Sequence, residues 1–219
     1  MNLNNIKLLK YNEKDYPEKL KNIKDFPLYL YVRGKVENLY KNNAIAIVGA
    51  RKASDYGKKV SRKFAYEICE RNINVVSGLA IGIDKQAHLG ALDNKNGKTI
   101  AVLATSVLEN EIYPLENLKV FERILEEDGT ILSEYSFGSK LEKYKFIERN
   151  RIISGISSKI IVIEAGKNSG SLITADFALE QGKDIFVVPG NINLENFVGS
   201  NNLIKEGAFL LNNINDLFP

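Results

Sequence analysis

Short, nearly unbroken apolar runs recur along this chain at Ile45–Val48, Val75–Val76, Ile100–Leu103, Ile131–Leu132, Ile160–Ile163 and Ile185–Val188, with a last one at Phe209–Leu211. Helical patterns fill most of the gaps. From Tyr56 to Arg71, residues Val60, Phe64, Ala65, Ile68 and Cys69 fall on one helix face, and lysines and arginines take the other. Strands that are apolar on both sides need cover on both sides, which means a parallel sheet between two layers of helices. The pattern therefore predicts an α/β protein, an extended Rossmann-like fold with a mostly parallel sheet and helices on both faces. Because it begins at Ala44, residues 44–219 read as the Rossmann-like domain. Residues 1–43 read as a lead-in segment that braces it, with a short helix over Asp15–Ile23 and a strand over Leu28–Val32.

Composition narrows the chemistry. One cysteine (Cys69) and one histidine (His88) exclude an internal disulfide and a His/Cys zinc site, so no metal is expected. A net charge of +3 permits a nucleic-acid partner only if the cations cluster. The N-terminus lacks the apolar core of a signal peptide, and no apolar run reaches membrane-spanning length. The expectation is a soluble cytoplasmic protein with no membrane partner.

Three strand ends run into glycine-containing loops and then helices: Ile45 to Ser54, Val75 to Asp84, and Ile160 to Ala175. Such loops point free N–H groups and the positive end of a helix at an anion, and in open α/β sheets they gather at one crevice. The loops offer Gly49, Arg51 and Ser54, then Gly78 and Gly82, then Ser169, Gly170, Ser171 and Thr174. Ser54 or Asp55 is expected to cap the first helix, and Asp84 the second. Asp84 and His88 share a helix face, and a capping aspartate above a structural histidine is the better reading than a catalytic dyad. A fourth stretch, FIERNRIISG, sets Phe146 beside Arg149, Asn150 and Arg151, with Lys143 and Lys145 just upstream. Cations that follow phosphates beside a ring that stacks on a base suit single-stranded nucleic acid. Neither a dinucleotide fingerprint nor a P-loop is present: the first strand gives GARKAS and the third loop GKNSGSLIT. No cofactor is expected. Asp84, Glu134 and Glu164 lie near strand ends, but nothing pairs them into a catalytic set.

In order, VGARKASDYG, SGLAIGIDKQAHLGAL, the YP of EIYP (Tyr113-Pro114), LSEY, FIERNRIISG, IEAGKNSGSLITADFALEQGKDIFVVPGNI and GSNNLIKEGA closely resemble the DprA/Smf (DNA-processing protein A) family over roughly Tyr16 to Ala208. The resemblance implies a positive pocket for single-stranded DNA in a non-enzymatic protein. It also implies loading of RecA recombinase onto incoming DNA in natural transformation, and self-association as a homodimer. On matching positions it assigns Arg51, Phe146, Arg149, Gly170 and Ser171 to the DNA pocket, joined by Lys143 or Lys145. Alanine at Arg51 or Arg149 is then expected to weaken binding with little change in melting temperature. The chain departs from the family at Ala104-Thr105-Ser106, where a glycine-rich turn is usual, and at Ile147, which stands where a proline is usual. It is also expected to lack the N-terminal sterile-alpha-motif-like and C-terminal winged-helix modules of many relatives. The competing reading is a LOG-like nucleotide-binding or nucleotide-hydrolysing enzyme, whose PGGxGT-type loop is replaced here by PGNIN.

Overall fold

The computed structural model describes residues 5–41 and 43–218. Among the described residues nine strands, beginning with β1 (Ile6–Lys10) and β2 (Tyr29–Gly34), form one sheet in the order β1-β2-β6-β5-β4-β3-β7-β8-β9. The seven strands from β6 to β9 in that order pair in parallel: β3 (Ala44–Val48), β4 (Asn74–Ser77), β5 (Thr99–Val102), β6 (Thr130–Ser133), β7 (Lys159–Val162), β8 (Asp184–Val187) and β9 (Phe209–Leu210). The α/β, Rossmann-like reading is therefore correct. No helix among the described residues is long and apolar enough to cross a membrane.

Alternation along each strand sorts its side chains between two cores. Ala44, Ala46 and Val48 of β3 face one way, with Ile160 and Val162 of β7. They pack against α5 (Lys143–Ile156) and α6 (Gly170–Glu180) through Ile152, Ile153, Ile156, Ala175 and Ala178. Ile45 and Ile47 face the other way, against Phe64, Ala65 and Ile68 of α2 (Asp55–Cys69) and Ala87 and Ala91 of α3 (Ile83–Leu92). A third cluster puts Phe121 and Ile124 of α4 (Leu118–Glu126) over Ala101 and Ile131. Each fully buried isoleucine or leucine contributes about 1.5–3 kcal/mol over its exposed state.

The first segment adds what the apolar runs did not announce. β1 (Ile6–Lys10) and β2 (Tyr29–Gly34) form an antiparallel pair, and β2 continues antiparallel onto β6. β1 shows a single buried side chain, Leu9, so it carries no apolar run. The helix expected over Asp15–Ile23 shrinks to α1 (Glu18–Lys21), preceded by Pro17. Tyr16, Leu20 and Leu30 are part of the core beneath α5.

The strand order fixes where a ligand can sit. From β3 the chain steps outward through β4, β5 and β6, then returns to β7 on the opposite side of β3 and steps outward again. The connections leaving β3 and β7 therefore diverge, and a crevice opens between them at the strand C-termini.

Candidate functional site

A cavity of about 1080 Å³ opens at that switch point. All three glycine loops reach it: Gly49, Ala50 and Arg51 after β3, Ala80 and Asp84 after β4, and Gly166 to Ser171 after β7. The start of α5 forms the opposite wall with Lys143, Phe146, Arg149 and Asn150, and Thr174 of α6 joins them.

Two of the three loops have their anion-binding groups filled from within. The carboxylate of Glu164 is fully buried beneath the N-terminus of α2. It accepts the Ser54 backbone N–H at 3.0 Å, the Ser54 hydroxyl at 2.7 Å and the Asn196 side-chain amide at 2.8 Å. Gly57 makes this possible, because any side chain there would collide with the Glu164 carboxylate. Ser54 caps α2 and accepts the Gly57 N–H at 3.0 Å. In the second loop Asp84 does not cap α3. The cap is Gly82, at φ +82° with no room for a Cβ against the Ala50 carbonyl. Asp84 instead sits one step inside the helix and accepts the N–H groups of Gly78 and Ala80 at 3.1 and 3.4 Å. Burial pushes its carboxyl up, against the pull of Arg149 and those two N–H groups.

The third loop is open. Ser169 caps α6, and its hydroxyl lies 2.8 Å from that of Ser171. Gly170 follows as the first helical residue, exposed, and a Cβ built there meets nothing within 4 Å. No neighbour in the chain requires glycine at this position. Its effect is to leave the first residue of α6 without a side chain toward the cavity, where the helix dipole favours an anion.

The cations divide sharply. Arg149 is only 4% exposed, with its guanidinium donating to the Gly78 carbonyl at 2.7 Å and to the Val102 carbonyl. Gly78 leaves the space for it, since a side chain there would strike the guanidinium. Burial lowers the Arg149 pKa to about 10, with Arg51 adding to the effect and Asp84 opposing it, so the group stays charged at neutral pH. Arg151 forks onto Glu134 at 2.7 and 3.1 Å. Lys145 is 5% exposed and donates to Ser139 and the Lys140 carbonyl, with its ammonium 4.9 Å from the centre of the Tyr135 ring. Among the described residues, Ser54, Gly78, Gly82, Lys145 and Arg151 do not line the cavity.

Arg51, Lys143 and Lys167 do line it, and all three are exposed. None has a hydrogen-bond or carboxylate partner for its side chain among the described residues. Arg51 lies 5.1 Å over the Phe146 ring, which meets Tyr113 edge-on at 5.7 Å. Residue patterns did not single out Lys167, although it stands inside the third glycine loop, and Tyr113 entered only within the YP motif of the family resemblance, with no place assigned in the pocket. Asn196 reaches Glu164 from a distant turn and leaves no local signal at all.

His88 is fully buried, with Nδ1 2.7 Å from the Thr99 hydroxyl. Burial drives its pKa down to about 3, so the ring is neutral and structural. The atypical Ala104-Thr105-Ser106 turn is buried, and Ser106 donates to Glu111 at 2.5 Å.

Comparison with known proteins gives one consistent result. Residues 7–219 match the family model described as DNA recombination-mediator protein A. The chain is 40% identical to DNA processing protein DprA of Bacillus subtilis, covering 97% of this chain and 70% of that one. It is also 40% identical to Protein Smf of Escherichia coli, covering 90% of this chain and 51% of that protein, so it spans about half of that relative. Among solved structures it superposes on DNA processing protein A of Streptococcus pneumoniae with a TM-score of 0.90 at 39% identity, covering 97% and 73% of the two chains. It matches DNA processing protein A of Helicobacter pylori, a structure described for its single-stranded DNA binding mode, with a TM-score of 0.85 at 31% identity, covering 97% and 93%. A molybdenum cofactor binding protein of Rippkaea orientalis, at 16% identity and a TM-score of 0.56, shares the fold alone.

Proposed function

The chain belongs to the DNA recombination-mediator protein A family, and from that premise we propose that it binds single-stranded DNA in the crevice between β3 and β7 and acts as a recombination mediator. One observation carries the reading. Arg51, unpaired among the described residues, lies over an aromatic ring at the edge of the cavity, beside the side-chain-free start of α6 at Gly170. A single strand offers phosphates to the cations and the helix end, and a base to the Phe146–Tyr113 pair. Duplex DNA keeps its bases stacked inside and has no base to give. Lys143 and Lys167 supply two further phosphate contacts, and Ser171 and Asn150 supply polar groups lining the same cavity.

Arg149 takes a supporting role. It fixes the β4 and β5 strand ends beneath the cavity, and its buried charge adds positive potential there. The carboxylates Asp84, Glu134 and Glu164 each have donors of their own, which favours binding over catalysis. Loading of RecA onto incoming DNA, homodimer formation and action in the cytoplasm complete the proposal and rest on the family resemblance.

The test is fluorescence anisotropy with labelled single-stranded and duplex oligonucleotides of equal length at two salt concentrations. Salt-sensitive binding that favours the single strand is expected. Equal binding to both, or none to either, would remove the reading. If the crevice then gave a thermal shift with nucleoside monophosphates, a nucleotide-processing role would replace it.

A further inference from the structure

A second concavity, of about 470 Å³, is lined by Ser54, Tyr56, Pro189, Gly190, Leu194 and Phe197. Its floor is closed. Phe197 is 2% exposed and lies so tightly on Gly190 that a side chain there would strike the ring. Its walls are open, with Tyr56 at 51% and Leu194 at 48% exposure. The Tyr56 ring is tilted 58° to Phe197 at 6.1 Å, and among the described residues its one polar contact is a long hydrogen bond of 3.5 Å to the Pro189 carbonyl.

Two chain segments lead from the crevice into this concavity. One runs from Arg51, on the crevice wall, through Lys52 to Ser54 and Tyr56; the other runs from Glu195 and Asn196 to Phe197. They are pinned together where the Asn196 side chain donates to the Lys52 carbonyl at 3.1 Å. Cations stand along the way. Lys52 and Lys59 are exposed, and neither has a side-chain partner among the described residues, whereas Lys58 between them pairs with Asp55. Lys59 lies three residues after Tyr56 on α2, on the same helix face.

We propose that this concavity is a second base subsite, taking a nucleobase of the same single strand after it leaves the crevice. Tyr56 stacks on the base, and Lys52 and Lys59 hold the phosphates on either side. Charge decides the occupant: an apolar peptide would use the ring and Leu194 and leave the lysines idle, while a nucleic-acid strand uses both in alternation. The inference rests on the crevice being the single-stranded-DNA site.

The experiment compares wild type, Tyr56→Ala, Tyr56→Phe and Arg51→Ala, binding oligothymidylates of about 5 and about 20 nucleotides, lengths that bracket a single site. Tyr56→Ala is expected to lose about tenfold in affinity for the long strand and almost nothing for the short one, the scale of one lost stacking contact. Tyr56→Phe keeps wild-type affinity for both. Arg51→Ala weakens both lengths. Unchanged binding of the long strand by Tyr56→Ala overturns the second subsite, as does equal loss at both lengths. Failure of Arg51→Ala to weaken either length overturns the crevice reading instead, so the two ideas fail separately. Tyr56 is a half-exposed surface residue, so a matching thermal melt of each variant shows that the fold is intact.

Discussion

Three arginines within or beside one helix-and-loop cluster do three different jobs, and their partners decide which. Arg151 is neutralised by the Glu134 fork, Arg149 is spent on two carbonyls under the floor, and Arg51 alone keeps a free guanidinium at the surface. Spacing in FIERNR cannot separate these fates, because pairing is settled by residues 17 and 71 positions away in sequence. The expectation that alanine at Arg51 and at Arg149 behaves alike is therefore revised. Arg149→Ala strips two carbonyls of their donor and leaves Asp84 buried without its countercharge. Breaking such a buried set costs about 3–5 kcal/mol, which for a domain of this size lowers the melting temperature by roughly 10 °C. Arg51→Ala removes an exposed side chain, so its melt stays within about 0.5 kcal/mol of wild type while its single-strand affinity falls. Thermal melts and anisotropy on the two variants check this directly, and a wild-type melt for Arg149→Ala would contradict the supporting role.

Elements were more legible than partners. Apolar runs marked every parallel strand from β3 to β9; the inner strands need them because they are covered on both faces, whereas Phe209 and Leu210 of the edge strand β9 are exposed. β1 was missed because it pairs at the sheet edge with only Leu9 buried. At the helix N-termini the sequence showed three similar loops, yet two are filled by the protein's own carboxylates, Glu164 and Asp84. Nothing local reveals the first of these, since Glu164 lies just past β7, 110 residues after Ser54, whereas Asp84 stands six and four residues from the N–H groups it fills. The open space around the glycine of the SGS turn, where a Cβ meets nothing within 4 Å, belongs to the fold and leaves no mark in the local sequence. That space gives a sharp test. Gly170→Glu adds a carboxylate at the first turn of α6, where the dipole favours it by about 0.3–1 kcal/mol. Replacing glycine also removes unfolded-state freedom worth about 0.4–1 kcal/mol. The variant should melt at or slightly above wild type, yet bind single-stranded DNA at least about tenfold more weakly, because its charge occupies the phosphate seat. Gly170→Ala, adding only a methyl group, should keep most of the binding. Full binding by Gly170→Glu would mean that the strand does not pass the α6 N-terminus.

At the scale of the whole molecule, the mild net charge of +3 is a poor guide to the field a ligand meets. Several of the cations that could have made the surface broadly basic are paired among the described residues: Lys7 with Asp15, Arg33 with Glu109, Arg62 and Arg123 with Asp93, and Arg151 with Glu134. Among the described residues, what remains unpaired at the crevice is Arg51, Lys143 and Lys167, brought together from three separate elements by the reversal of strand order between β3 and β7. Binding therefore depends on how many phosphates those three groups neutralise, whatever the overall charge. For a single strand, each phosphate neutralised contributes about −0.7 to the slope of log K against log salt. A short oligonucleotide confined to the crevice should accordingly show a slope of about −2. Each of Arg51→Ala, Lys143→Ala and Lys167→Ala should bring that slope closer to zero by about 0.7, and Arg151→Ala should leave it unchanged. The three single variants thus form a count that total affinity cannot give. A slope near zero would assign the affinity to stacking alone. An Arg151→Ala variant that shifted the slope as much as Arg51→Ala would place the strand along the Glu134 side of α5, away from the switch-point crevice.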